Sequence, residues 1–151
     1  MKKWSELRAE GRDSVARALG DLYRRFQDEA NSRYARLGWP GLTLAHVQFL
    51  SELDEGGSML SDIAEAIGTT KQYAGRLAKE SADRGLISIT DNPKDRRAVL
   101  VLPTDRGRAF LEDACTVRRE LEDAFFEGAD EGRRQAFLST LDAMLRRHRE
   151  T

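Results

Sequence analysis

Leu86-Ile87-Ser88-Ile89-Thr90, then Asp91-Asn92-Pro93-Lys94-Asp95-Arg96-Arg97, then Ala98-Val99-Leu100-Val101-Leu102 is the stretch that decides the fold. The two outer runs are rich in β-branched residues, and the polar segment between them carries turn residues, so the pattern predicts a β-hairpin. Its tip holds Lys94, Arg96 and Arg97. A thin basic loop suits the narrow minor groove of DNA, whose negative potential attracts Arg. Asp95 works against that attraction if taken singly. It makes sense as an anchor, since a carboxylate can bond the guanidinium of Arg97 and hold it outwards.

Working outward towards the N-terminus, the periodicity changes from strand to helix. Thr69 and Thr70 are N-cap candidates for a helix reaching Arg84, and Gly85 closes it. Before it, Leu60-Ser61-Asp62-Ile63-Ala64-Glu65-Ala66-Ile67 reads as a short helix with Ile63, Ala64 and Ile67 on one face. Gly68 follows where a left-handed C-cap is needed. Two helices across a short Gly-containing turn form the helix-turn-helix signature. Ala64 permits a close crossing, and Ile63, Ile67 and Leu77 would fill the space between the helices. The second helix presents Thr70, Lys71, Gln72, Tyr73 and Arg76 in its first turns, with Lys79 beyond. Recognition helices offer such N-terminal residues to base edges. Arg suits guanine and Gln suits adenine through bidentate bonds, while Lys71 and Lys79 suit phosphates. Residues 43–102 are therefore expected to form a winged helix-turn-helix that binds double-stranded DNA.

Further out the chain is expected to be helical. Trp4, Leu7, Val15, Leu19, Leu22, Phe26 and Ala30 predict one helix from about Ser5 to Leu37, roughly 50 Å long at 1.5 Å per residue. Gly38-Trp39-Pro40-Gly41 ends it. Thr43 caps a helix carrying Leu44, Val47, Leu50 and Leu53, stopped by Glu55-Gly56-Gly57. After Thr104, Phe110 to Phe125 and then Ala136 to Leu145 give two more helices separated at Gly128. The terminal helices, 1–37 and 104–151, expose more apolar surface than a lone winged helix covers. Trp4, Leu7, Leu19, Leu121, Phe125, Phe137, Leu141 and Leu145 are the candidates for a dimer interface. A dimer would set two reading heads about one DNA turn, roughly 34–36 Å, apart on a pseudo-palindrome. A monomer with an internal bundle is the alternative.

The 151 residues suit one mainly α domain, and 34% charged against 40% hydrophobic residues suits a globular chain. The net charge of −1 hides a pattern: Thr43 to Thr70 carries −5, Lys71 to Arg108 carries +4, and Ala109 to Gly132 carries −6. The basic block coincides with the proposed reading head. A single cysteine, a polar start and the lack of a long apolar run predict a cytoplasmic protein.

The sequence resembles the MarR family of bacterial transcriptional regulators. The resemblance is carried by Leu60-Ser61-Asp62-Ile63-Ala64, Gly68, Arg76-Leu77, Arg84-Gly85-Leu86-Ile87, the wing Asp91 to Ala98, and Thr104-Asp105-Arg106-Gly107. It implies an obligate homodimer built from the first and last helices, with recognition helices in successive major grooves and wings in minor grooves. It also implies a repressor released by small aromatic ligands or by oxidants. Three positions depart from the family pattern: Gly75 replaces a small hydroxyl residue, Ser81 a buried Leu, and Pro103 a Leu.

An effector pocket could be lined by Tyr34, Trp39, His46 and Phe49, since small ligands need aromatic and apolar walls with a few polar groups. His46, His148 and Cys115 lack the spacing of a metal site, so no metal or other cofactor is expected. Cys115 lies among apolar residues and is expected to be a packed, inert thiol. No catalytic constellation is visible, so an enzyme is not expected. A protein-interaction module with a winged helix but no DNA binding is the competing reading, and the basic residues at 71, 76 and 79 argue against it.

Overall fold

Glycines punctuate the chain where its helices stop. In the computed structural model, which describes residues 1–12 and 14–149 (without the side chains of residues 12, 95–97, 148 and 149), α4 (Leu60–Ala66) ends at Gly68 with φ +67°. The Gly68 N–H donates to Glu65 O at 3.0 Å and the Thr69 N–H to Ala64 O at 2.9 Å, a Schellman pair that turns the chain sharply. Thr70 then starts α5 (Lys71–Asp83), its Oγ1 accepting from the Tyr73 N–H at 3.1 Å. Ala74, Leu77, Ala78 and Ser81 make the buried stripe of α5, and Ile63 and Ala64 that of α4. A helix, a four-residue turn and a second helix thus form as the sequence predicts.

The hairpin is β2 (Ile87–Asn92) and β3 (Asp95–Pro103), antiparallel from Ile87↔Pro103 to Asp91↔Val99. The register then jumps to Asn92↔Asp95, so both strands run further towards the tip than the expected Leu86–Thr90 and Ala98–Leu102. Polar residues do not prevent ladder pairing, because the ladder is made by the backbone. The Asn92 side chain accepts from the Lys94 N–H at 2.9 Å and shapes the turn. A third strand, β1 (Ser58–Met59), pairs with β3 through Ser58↔Val101 and Met59↔Leu100, giving the order β1-β3-β2. Two residues carry no readable period, so the sequence did not announce β1.

The expected single first helix is two: α1 (Trp4–Arg12) and α2 (Val15–Arg36). Ser14 sits between them in extended conformation, and its Oγ accepts from the Arg17 N–H at 3.2 Å. A serine that caps a new helix competes with continuation of the old one. The next helix, α3 (Leu44–Ser51), is followed after the wing by α6 (Asp105–Phe125) and α7 (Glu131–Arg149). The Thr104-x-x-Gly107 sequence closes the junction of β3 and α6. Thr104 Oγ1 donates to Gly85 O at 2.7 Å and accepts from the Gly107 N–H at 3.1 Å. A Cβ on Gly107 would lie 2.1 Å from Leu86 O, so only glycine permits this approach.

The chain forms two compact units, Met1–Arg118 and Arg119–Thr151, with the boundary inside α6. In the first, Phe110 packs edge-on against Tyr34 and tilted against Trp39, each at 5.4 Å between centroids. In the second, Arg134 lies 3.5 Å from Glu122 and 3.4 Å from Asp123, and Phe126 meets Phe137 edge-on at 5.7 Å. No helix among the described residues is long and apolar enough to cross a membrane.

Candidate nucleic-acid interface

The outer face of α5 follows from its inner one. With Ala74, Leu77, Ala78 and Ser81 turned inward, helical spacing leaves Gln72, Arg76 and Lys79 on the opposite side. Thr70, Lys71, Gln72, Tyr73, Arg76 and Lys79 are all exposed. Thr70, Gln72, Tyr73 and Arg76 line a shallow concavity at the N-terminal end of the helix. The end itself carries the positive pole of the helix dipole. The Arg76 guanidinium lies 4.8 Å from the centroid of the Tyr73 ring, a cation–π distance. Its Nε lies 3.8 Å from Glu80 Oε1. Lys79 donates to Asp83 Oδ2 at 2.9 Å, which holds its ammonium above the usual lysine range. Gly75 has nothing within 4 Å of an added Cβ.

On the wing, Lys94 is exposed at the tip. Asn92 Nδ2 lies 3.2 Å from Met59 Sδ, which ties the base of the tip to β1. The side chains of Asp95, Arg96 and Arg97, including the expected Asp95–Arg97 anchor, lie outside the described residues.

Behind α5 sits a group that no local sequence pattern ties to this face. His46, 3% exposed, has its Nε2 at 3.0 Å from Glu80 Oε2. Its Nδ1 accepts from the Thr43 N–H at 3.2 Å and lies 2.9 Å from Thr43 Oγ1. A backbone N–H can only donate, so Nδ1 is the unprotonated nitrogen and Nε2–H donates to Glu80. Burial pushes the His46 pKa below its ordinary value, opposed by Glu80. The one sequence signal for Glu80 was its position four residues after Arg76 on a helix.

The residues proposed to line an effector pocket do not behave alike. Tyr34 and Phe49 are 1% and 0% exposed and belong to the core. Burial raises the Tyr34 hydroxyl above its ordinary range. Trp39 donates through Nε1 to Asp113 Oδ2 at 2.7 Å, and the Arg106 guanidinium sits 5.0 Å from its ring. A cavity of about 80 Å³ lies elsewhere, among Leu50, Leu53, Leu86, Pro103 and Leu111, with the bidentate Glu55–Arg108 pair at its rim at 2.8 and 3.1 Å. A benzene-sized guest takes about 150 Å³, so an aromatic ligand needs more room than this cavity has.

Two expectations are corrected here. Cys115 is exposed rather than packed, because Phe110, Ala114, Val117 and Leu121 take the inward stripe of α6 and position 115 falls off it. Leu121, expected at a dimer interface, is 1% exposed in the single chain and has no surface left to offer. By contrast Trp4, Leu7, Phe125, Phe137 and Leu145 are 84%, 46%, 40%, 39% and 63% exposed, while Leu19 and Leu141 are half-buried.

Two helices across a glycine turn, followed by a hairpin closed by a third short strand, define a winged helix-turn-helix. Residues 41–98 match the sequence model of the MarR family. The solved MarR transcriptional regulator from Methanosarcina mazei Go1 shares the fold with a TM-score of 0.78 at 20% identity, over 90% of this chain and 96% of that one. BpsR of Bordetella bronchiseptica, whose DNA binding is regulated by 6-hydroxynicotinic acid, gives 0.74 at 26% identity over 87% and 93%. An uncharacterized protein of Mycobacterium tuberculosis is 28% identical over 116 residues, 74% of this chain and 81% of its own. The segment 41–98 is thus similar to the MarR family, and the fold around it is that of solved MarR transcriptional regulators.

Proposed function

We propose that this protein is a homodimeric, sequence-specific DNA-binding regulator, acting as a repressor that a small aromatic ligand releases. The exposed row Lys71, Gln72, Arg76 on a helix braced from behind carries the reading. Residues 43–102 form the reading head, with Gln72 and Arg76 at base edges and Thr70, Lys71, Tyr73 and Lys79 on the backbone. Lys94, Arg96 and Arg97 reach the minor groove. The exposed apolar residues of 1–37 and 104–151 meet their copies in the dimer. A ligand is suggested by BpsR, and it would act by favouring a conformation in which the two heads no longer match successive grooves.

The test is a gel shift with the DNA upstream of the protein's own gene. A discrete complex that weakens steeply with salt is expected, because each neutralised phosphate releases counterions. A folded dimer that gives no complex at moderate salt, or one indifferent to salt, sinks the proposal. Within it, Arg76→Ala is expected to cost about 1–3 kcal/mol, concentrated at one base position, whereas Lys71→Ala weakens all sequences alike and lowers the salt slope by about one. Titrations against single-base operator variants at several salt concentrations measure both.

A further inference from the structure

We propose that Glu80, held by the buried His46, is a positioning residue that aims Arg76 and so sets the selectivity of the recognition helix at one operator position. This rests on the DNA-binding reading above and deepens it.

An exposed arginine has many rotamers, and ordering it on a base edge costs entropy. Arg76 is confined on two sides. The Tyr73 ring lies 4.8 Å from its Cζ, and Glu80 Oε1 lies 3.8 Å from its Nε. A surface glutamate would itself wander and hold nothing. Glu80 does not, because its second oxygen accepts from Nε2–H of His46 at 3.0 Å. His46 cannot turn away, being 3% exposed and bonded at Nδ1 to Thr43, the cap of α3. The chain Thr43–His46–Glu80–Arg76 therefore transmits the position of α3 to the tip of a base-reading side chain. Glu80 is also a carboxylate on a face meant for phosphates, where it weakens attraction. Such a charge is useful there for aim rather than for affinity.

The experiment is in vitro selection from a randomised duplex DNA library, with base preference then measured at every operator position. Arg76→Ala marks the position that Arg76 reads. Glu80→Gln keeps the size and the acceptor for His46 but loses the charge. His46→Asn keeps the acceptor for Thr43 but no longer reaches Glu80. Each is expected to lower preference at the marked position by about fivefold, with other positions and the salt slope unchanged. Glu80 is a surface residue with its side chain 40% exposed, so Glu80→Gln decides the matter even if His46→Asn does not fold. An unchanged profile, or preference lost equally at all positions, overturns the proposal. If the folded wild-type protein selects no motif at all, the DNA-binding reading itself fails, which is a separate outcome.

Discussion

His46 shows how one residue joins the core to the surface. It is buried and hydrogen-bonded, and its partner, Glu80, is 34 residues away in sequence. Its protonation has a stability consequence. Burial lowers its pKa in the folded state, so the folded chain binds this proton less readily than the unfolded chain. The contribution is therefore fully present above the ordinary histidine value of about 6.5 and is lost as pH falls through the lower folded value. Urea denaturation from pH 8 down to 5 should show stability falling on the acid side, with a shallower fall in His46→Asn. Gly75 makes a second prediction. It lies in the middle of α5 with open space around it, so Gly75→Ala should raise stability by about 1 kcal/mol, read as a higher melting temperature. Ser81 is buried with no hydrogen-bond partner for its hydroxyl among the described residues, in keeping with its place where a buried Leu is expected.

At the scale of elements, the helix-turn-helix and wing were legible because their signals are local. Gly68 and Gly85 take positive φ at +67° and +73°, and Thr70 caps α5 through its own side chain. Each such feature needs only neighbours within a few residues. The division of the first helix was less legible, since apolar spacing continues through Ser14 and only the cap bond to Arg17 shows the break. The joint between the wing and α6 is the most demanding contact. Gly107→Ala places a Cβ against the Leu86 carbonyl at 2.1 Å, and backbone cannot move aside as a side chain can. This variant should unfold at lower denaturant by about 2 kcal/mol or more, measurable by circular dichroism.

At the scale of the whole molecule, the exposed apolar residues of the terminal helices carry the dimer proposal. Leu145, 63% exposed on α7, offers the cleaner test because changing it disturbs little within one chain. Leu145→Asp is expected to shift the protein towards monomer in sedimentation velocity and to weaken operator binding in parallel, since one head holds half a palindrome. A variant that stays dimeric places the interface elsewhere. The amino-acid sequence by itself determined the order of helices, the hairpin and the exposed basic row on α5, because periodicity, caps and turns are set by short-range sterics and hydrogen bonds. Only the tertiary structure decided that β1 closes the sheet, that Leu121 is buried while Cys115 is exposed, and that His46 braces Glu80 behind Arg76. Those depend on which distant surfaces pack together, and no local pattern of residues records the partner across such a gap.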